Sequence, residues 1–343
     1  MQLNVVPSIS VIVPVHLGRD TFVQCLDSLA QAVAAPHEVI VVGDGVGDAY
    51  DALMADYDFS FIKLFTSQGA ARARNVGARI ARGDILFFVD SDVTVPVDVT
   101  EQILAAFQQN ANMDALIGSY DDSPGAANFL SQYKNLFHHY VHQNGSGNAS
   151  TFWGACGAIK RRVFWQLGGF DASYQQATVE DIEFGYRLRD ADHRIHLIKS
   201  LQVKHLKRWE TGSLLRTEFV GRALPWTRLI WRDRKLIDDL NLQFSSRLSA
   251  MLVLGLLIGL AAAVVLPELA LLTLISMAAL LWLNYDLYRF FWRKRGVLFA
   301  IKTIPWHWFY FFYSGVAFVW GSLQFFSQKL IVSPIPDRSI AMD

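Results

Sequence analysis

The sequence predicts an α/β domain with a mostly parallel sheet, followed by amphipathic helices and a hydrophobic helical region. Three observations predict it. Short β-branched runs alternate with helical spacings through the first part of the chain, the order that gives a parallel sheet covered by helices. Beyond Leu248, two long stretches are almost wholly apolar. Lys and Arg cluster on both sides of that pair and are missing from its tip, where Glu268 stands.

The totals set bounds. The chain has 343 residues, more than one core usually organises, so two units are expected. Lys+Arg and Asp+Glu both number 31, and no basic excess points to nucleic acid. Hydrophobic residues make up 52% and mean hydropathy is +0.24, high for a wholly soluble chain. Cys25 and Cys156 share no motif, and no Cys/His cluster has zinc spacing. Met1 to Asn4 carries no positive charge and the first apolar run is broken at Pro14, so no signal peptide is expected and the first domain should be cytosolic.

The elements follow in order. Ile9 to Val15 suits a buried strand. Thr21 to Ala34 has helical spacing, with Phe22, Leu26 and Leu29 on one face. Glu38 to Val42 is a second buried strand, ending in Gly43-Asp44-Gly45. Ala70 to Ala81 is another helix, and Asp84 to Val89 another strand, ending at Asp90. Ligands of such sheets bind beyond the carboxyl ends of the strands, where Asp44 and Asp90 sit. Glu210 to Ser246 interleaves apolar residues with Arg216, Arg222, Arg228 and Arg232, as in a helix lying on a membrane surface or packing on the first domain. Spans are expected at about 247–266 and 268–286, with a third aromatic-rich candidate at about 303–326 that crosses or lies in the interface. Basic residues on both flanks put both ends of the hairpin on the cytoplasmic side.

The chemistry centres on Asp90-Ser91-Asp92. Two carboxylates one residue apart, just past a buried strand, can hold a hard divalent cation that neutralises a diphosphate. Such triplets also occur in solvated turns. Glu180-Asp181 is a second acidic pair. It opens the helix Ile182 to Leu188, where the dipole favours carboxylates. His138, His139 and His142 have helical spacing, but Gly145 to Ser150 follows with no carboxylate partner, so this stretch reads as a mobile loop rather than a metal site.

The run from Ile9 to Pro96 resembles family 2 glycosyltransferases of the GT-A, Rossmann-like fold. The matching elements are Val11-Ile12-Val13-Pro14, Glu38 through Val42, Asp44-Gly45, Ala73-Arg74-Asn75-Val76-Gly77, and Gly83-Asp84 through Asp92. The resemblance continues through Phe152 to Ala158, Gly168-Gly169-Phe170-Asp171 and Glu180-Asp181, to about residue 210.

The resemblance implies roles. Pro14, Asp44, Arg74 and Asp90 belong to the donor side, with Asp44 on the base or ribose. The chain has Gly43 where the family often has a second acid and Val46 where it usually has Ser, which leaves the base open. Asp92, with Asp90, matches the metal-binding acids for Mg2+ or Mn2+. Asp181, beside Glu180, matches the general base. His205 to Trp209 resembles a Gln-x-x-Arg-Trp element with His in place of Gln. It puts Arg208 on the diphosphate, Trp209 at the acceptor and His205 as a further metal or diphosphate ligand. Trp153 and Gly154 should line the acceptor pocket.

The implied protein is an inverting, metal-dependent transferase. Its donor is a UDP- or GDP-sugar and its acceptor a lipid-linked or membrane-proximal glycan, in glycan, glycolipid or exopolysaccharide biosynthesis. It is expected in the inner membrane, multi-pass, with a catalytic domain over 1–209, interface helices over 210–246 and a transmembrane region over 247–343. A processive polysaccharide synthase, or a nucleotide-binding membrane scaffold without turnover, are the competing readings.

Overall fold

The computed structural model describes residues 7–331, apart from 17, 35–36 and 177. The first six residues, read above for the missing signal, and residues 332–343 of the expected transmembrane region lie outside the described residues.

The first half of the α/β domain is parallel. β1 (Ile9–Val15), β2 (Glu38–Asp44), β3 (Ser60–Leu64) and β4 (Ile85–Val89) line up as β3-β2-β1-β4, joined through α1 (Arg19–Ala32), α2 (Ala49–Met54) and α3 (Ala70–Ile80). Then follow β5 (Val93–Thr94), α4 (Val99–Gln109), β6 (Ala115–Tyr120), α5 (Phe129–Asn144), β7 (Asn148–Ala149), β8 (Cys156–Lys160), α6 (Arg161–Gln166), α7 (Glu180–Asp190) and β9 (Ile195–His205). β8 inserts between β4 and β6 and runs antiparallel to both, while β9 lies parallel to β6 and antiparallel to β5 and β7. The sheet is therefore mixed, not mostly parallel as expected. A strand buried on both faces is the same apolar run whichever way it points, so its direction is not in its composition.

Alternate residues feed two cores. Val11, Val13, Phe87 and Val89 pack with Phe22, Leu26 and Ile103 on one face. Ile12, Leu86 and Phe88 pack with Phe152, Phe164, Phe170 and Phe184 on the other. Gly77 lets α3 lie close on the strands, since a Cβ there would come within 2.7 Å of Ile12.

The second half is helical: α8 (Thr211–Leu215), a π-helical stretch (Arg216–Ala223), α9 (Leu224–Asp233), a short turn at Leu240–Leu242, α10 (Phe244–Ala263), α11 (Leu269–Leu283), α12 (Tyr285–Arg295) and α13 (Val297–Ile331). α9 is held between protein surfaces. Leu229 is buried with Val179, Ile182 and Tyr186, and Trp226 donates from Nε1 to the Tyr186 hydroxyl at 3.0 Å. On its other side Trp231 Nε1 donates to Ser322 Oγ at 2.7 Å. Trp226, Leu229 and Trp231, in the stretch expected to lie on a membrane surface or pack on the first domain, thus face α7 and α13, while Val220 is exposed.

Among the described residues one helix, α10, is long and apolar enough to cross a membrane, or two segments if α11 and α12, bent by 59°, count together. α11 has 15 residues, about 22 Å of helix against the ~30 Å of a hydrocarbon core. Its outward side chains are apolar and open: Ile258 and Val264 on or just after α10, and Leu271, Leu272 and Trp282 on α11, are all more than half exposed. The segment 303–326, the third candidate, does not qualify as a span. It belongs to α13, which lies along the domain. Phe299 meets Phe129 of α5 at 5.2 Å, Phe311 is buried with Val253, Leu256 and Leu280, and Phe326 meets Trp231 of α9 at 4.8 Å.

Candidate active site

The acidic residues that end β4 and open α7 are joined by one guanidinium. Arg74, on α3, donates from Nη2 to Asp90 Oδ1 at 2.8 Å and from Nη1 to Glu180 Oε1 at 2.9 Å. Arg74 and Glu180 are almost wholly buried, with side chains 5% and 4% exposed. Burial opposes the guanidinium charge, but Asp90, Glu180 and Asp181 together push its pKa up. Its Nε has no partner among the described residues. Gly154 has no room for a side chain, because a Cβ would stand 2.8 Å from the guanidinium carbon.

Glu180 and Asp181 divide at the start of α7. Glu180 has both oxygens occupied, since Oε2 accepts from the Thr178 amide at 2.7 Å. Asp181 accepts from the Gly154 amide at 3.1 Å and the Ile182 amide at 2.8 Å. Burial, then the neighbouring Glu180, push its carboxyl up to about 6, with Arg74 and the Gly154 amide pulling the other way. A carboxylate titrating near the working pH is suited to taking a proton.

Asp92 faces His205. Pairing of β5 with β9 sets Val93 opposite His205, the Leu206 amide donates to the Asp92 carbonyl at 2.8 Å, and His205 Nε2 lies 3.6 Å from Asp92 Oδ2. Burial works against the Asp92 charge, yet His205 and then Lys207 hold its carboxyl below the usual range. Tyr120, at the end of β6, stacks on the His205 ring at 4.4 Å and 14°, and Trp153 meets Tyr120 edge-on at 4.7 Å. Tyr120 carried no sequence signal, since the strand it ends, β6, was not read from the sequence either. His138 also meets Trp153, at 4.9 Å. The His138–His142 stretch, expected in a mobile loop, lies inside α5. His139 and His142 set Nδ1 on the Tyr120 and Gly118 carbonyls at 2.7 and 3.0 Å.

On the donor side, Asp44 is buried and holds the loop before α3. It accepts from Ser67 Oγ at 3.0 Å and from the amides of Gln68 and Gly69 at 2.6 and 3.0 Å. Pro14 pairs with Val42 in the neighbouring strand. Just beyond Pro14, exposed His16 sets Nδ1 against the Asp44 carbonyl at 2.6 Å, a position that no sequence argument had picked out. Arg208 stands apart, its side chain 67% exposed and bonded to Glu210 at 2.8 Å. Trp209 is buried with Leu130 and Leu214, and its amide donates to Ser131 Oγ at 2.7 Å. The structure thus gathers Arg74, Asp90, Asp92, Trp153, Gly154, Glu180, Asp181 and His205; Trp209, buried, stands 6.5 Å ring to ring from His205, and Arg208 points elsewhere. A cleft of about 450 Å³ beside Asp84, Lys160 and Trp165 lies at the opposite end of the sheet and shares none of these residues.

Among the described residues no group of three or more His, Cys, Asp or Glu side chains is arranged to hold a metal. Asp92 and His205 offer a carboxylate oxygen and an imidazole nitrogen side by side, and Asp90 keeps one oxygen clear of Arg74. This set is too small for an all-protein cage. It fits a divalent ion whose other positions are filled by phosphate oxygens and water.

Residues 10–168 match the family model described as Glycosyl transferase family 2. The match takes in Asp44, Arg74, Asp90, Asp92, Trp153 and Gly154; the residues from Glu180 onward lie past its end. An uncharacterized glycosyltransferase of Haemophilus influenzae is 34% identical over 195 residues, 52% of this chain and 61% of that protein, so the chain spans about three fifths of that relative. Glycosyltransferase GlyG of Streptococcus pneumoniae is 27% identical over 276 residues, 72% of this chain and 82% of GlyG. Among solved structures, GalNAc-T7 with UDP, GalNAc and Mn2+ superposes with a TM-score of 0.50 at 16% identity, covering 72% of this chain and 51% of that one, a likeness of fold.

Proposed function

We propose that this chain, which carries a glycosyl transferase family 2 domain over residues 10–168, is an inverting transferase. It would move a sugar from a UDP- or GDP-sugar to a lipid-linked or membrane-proximal acceptor in glycan, glycolipid or exopolysaccharide synthesis. The observation that carries the reading is Asp181. It is a carboxylate raised to about 6 and held by the Gly154 amide, next to the Arg74–Asp90 pair.

In this reading the acceptor hydroxyl oxygen attacks the anomeric carbon while Asp181 takes its proton. The bond from the anomeric carbon to the donor phosphate oxygen breaks, and the nucleoside diphosphate departs from the opposite face, which inverts the centre. Asp92 and His205 would hold the divalent cation, Mg2+ or Mn2+, whose charge offsets that of the diphosphate. Glu180, with both oxygens occupied, keeps Arg74 in place and so orients Asp90 toward the ribose. Trp153 offers a flat face for a sugar ring. Asp44 shapes the base side through the loop it holds rather than by a free carboxylate.

Residues 1–209 would be the catalytic part, residues 210–246 its base, and the later helices the membrane attachment. The apolar, open faces of α10 and α11 support a bilayer contact, with the active site on the cytoplasmic side. One qualifying helix does not support a multi-pass crossing.

The test is thermal unfolding of the full chain in detergent with UDP, GDP, CDP and TDP, each with and without Mn2+. A ligand that binds only the folded state raises the midpoint. A metal-dependent rise with one nucleotide, lost in Asp92→Ala, is expected. No rise with any nucleotide in folded protein would overturn the donor reading.

A further inference from the structure

The corner where α12 passes into α13 carries cations without acids. From Leu287 to Ile331 the sequence holds no Asp or Glu, while Arg289, Arg293, Lys294, Arg295 and Lys302 all fall near the start of that stretch. A cleft of about 410 Å³ opens there, between α5 and this corner. Phe129 of α5 and Phe299 of α13, 5.2 Å apart ring to ring, line it together with Gln132, Arg295 and Lys302. It shares no residue with the proposed transfer site.

Arg295 is held in place and not neutralised. Its Nε donates to Gln132 Oε1 at 2.7 Å, Nη1 to the Lys294 carbonyl at 2.9 Å and Nη2 to the Asp122 carbonyl at 2.8 Å. All three acceptors are neutral oxygens, and an N–H on each Nη is left over. The acids that approach from the first domain are already paired, Asp121 with Lys204 and Asp122 with Lys294. Asp286 stands at the other end of α12. Lys302 is exposed and has no ion pair among the described residues. Two cations thus line one cleft with no carboxylate between them. Apolar side chains flank them on the outside. Trp292, one helical turn before Arg295, is 59% exposed; Leu298, one turn before Lys302, is 74% exposed and Ile301 57%.

We propose that this cleft binds the head group of an anionic glycerophospholipid of the bilayer, a lipid that is held and not consumed. The proposal rests on the reading of the later helices as the membrane attachment. Arg295, its planar fork fixed by three neutral acceptors, and Lys302 take the phosphate oxygens, while the acyl chains run over Trp292, Leu298 and Ile301. Both halves of the surface decide the occupant. A soluble anion or an acidic peptide would meet the cations and leave the apolar side chains in water. A zwitterionic lipid would bring its own cation to a place that already has two. The head group also has a link to the transfer site. It joins α13 to the first turn of α5 through Phe129 and Gln132, and the same helix sets His138 against Trp153 at 4.9 Å. Filling the cleft therefore fixes α5, with its active-site ring, against the membrane helices.

The experiment uses the full chain in dodecyl maltoside. Phosphatidylglycerol, phosphatidylcholine, glycerol 1-phosphate or a hexaglutamate peptide is added in steps, and bound molecules are counted by native mass spectrometry. Wild type should fill at a phosphatidylglycerol concentration at least about tenfold below that for phosphatidylcholine. Arg295→Gln with Lys302→Gln should lose this preference. Lys302→Gln alone, which has no ion pair to lose, should lose part of it, and its unchanged unfolding midpoint would show an intact fold. Arg289→Gln with Arg293→Gln, which removes as many charges from α12 outside the cleft, should keep the preference. Equal binding of the two lipids by wild type would overturn the proposal. So would a preference that survives in Arg295→Gln with Lys302→Gln, or one lost equally in the α12 pair. Glycerol 1-phosphate binding as tightly as phosphatidylglycerol would overturn the lipid source, and hexaglutamate doing so would replace the lipid by a protein. Flotation with liposomes separates this proposal from the reading it rests on. Flotation with no phosphatidylglycerol preference leaves the membrane attachment standing and removes the head-group site. Preference in detergent with no flotation keeps the site and removes the attachment.

Discussion

Arg74 and Glu180 meet at 2.9 Å inside the domain, and neither side chain has meaningful contact with water. The pair ties α3 to α7 and so fixes where Asp90 and Asp181 stand relative to each other. A buried pair adds little net stability when whole, but breaking it leaves a bare charge. Arg74→Met should lower stability by about 3–5 kcal/mol, and the double change Arg74→Met with Glu180→Gln should recover part of that. Thermal midpoints in detergent check it; equal midpoints for the single variant and wild type would contradict the burial of this pair.

Asp181 should limit both pH dependence and stability. Its carboxyl titrates near 6 in the fold against an ordinary 3.8, so the fold favours the protonated form. The ionised side chain then opposes folding above about pH 6 and costs nothing below about pH 4. Asp181→Asn should therefore raise the unfolding midpoint at neutral pH and leave it unchanged near pH 4. Turnover should fall by about 10²- to 10⁴-fold. In wild type, kcat/KM should drop on the acid side around pH 6. A midpoint gain of equal size at both pH values would show that the pKa is not raised.

Gly154→Ala tests the fit around the guanidinium. A Cβ there would lie 2.8 Å from Arg74 Cζ, so Arg74 must move and Asp90 with it. Activity should fall by about tenfold or more, because misplacing a positioning group by about an ångström costs up to 10²-fold. The fold should persist. Activity near wild type would mean that the Arg74 position is not needed for transfer.

The outer faces of α10 and α11 can be tested without touching their packing. Ile258 is 70% and Leu272 is 56% exposed. Ile258→Glu with Leu272→Glu should leave unfolding in detergent unchanged and cut flotation with liposomes of anionic lipid, since each acid resists entry into hydrocarbon by about 2.5–3.5 kcal/mol. Unchanged flotation would show that these faces do not meet lipid.

Three of the four strands of the first half, β1, β2 and β4, were legible as short apolar runs, whereas β3, Ser60–Leu64, with Ile62 its one β-branched residue, was not. β1 falls on the expected Ile9 to Val15, and β2 extends the expected strand by Gly43 and Asp44. The direction of β8 was not legible, since it is set by pairing with β4 and β6 far away in sequence. The site shows the same division. Motif spacing placed Asp90, Asp92 and Asp181 at strand and helix ends. Spacing does not report what each carboxylate already holds: Glu180 is tied to the Arg74 guanidinium and Asp44 to the loop before α3, while Asp181 accepts from backbone amides alone. Tyr120 was invisible for a related reason: its stack on His205 depends on β6 and β9 being neighbours. The burial of Trp209 was likewise not legible: its ring packs with Leu130 of α5 and Leu214 of α8 beside His205, contacts that join segments far apart in sequence.

α13 has a practical consequence for how this protein can be divided. Tyr133, Leu136 and Phe137 of α5 share their core with Leu287, Tyr288 and Phe291 of α12 and Ala300 of α13. A fragment ending at residue 209 or 246 would turn that aromatic face out to solvent, and it should aggregate where the whole chain does not. The α/β domain and its helices are therefore poor units for exchange by truncation or fusion, because the boundary that composition draws runs through a shared interior.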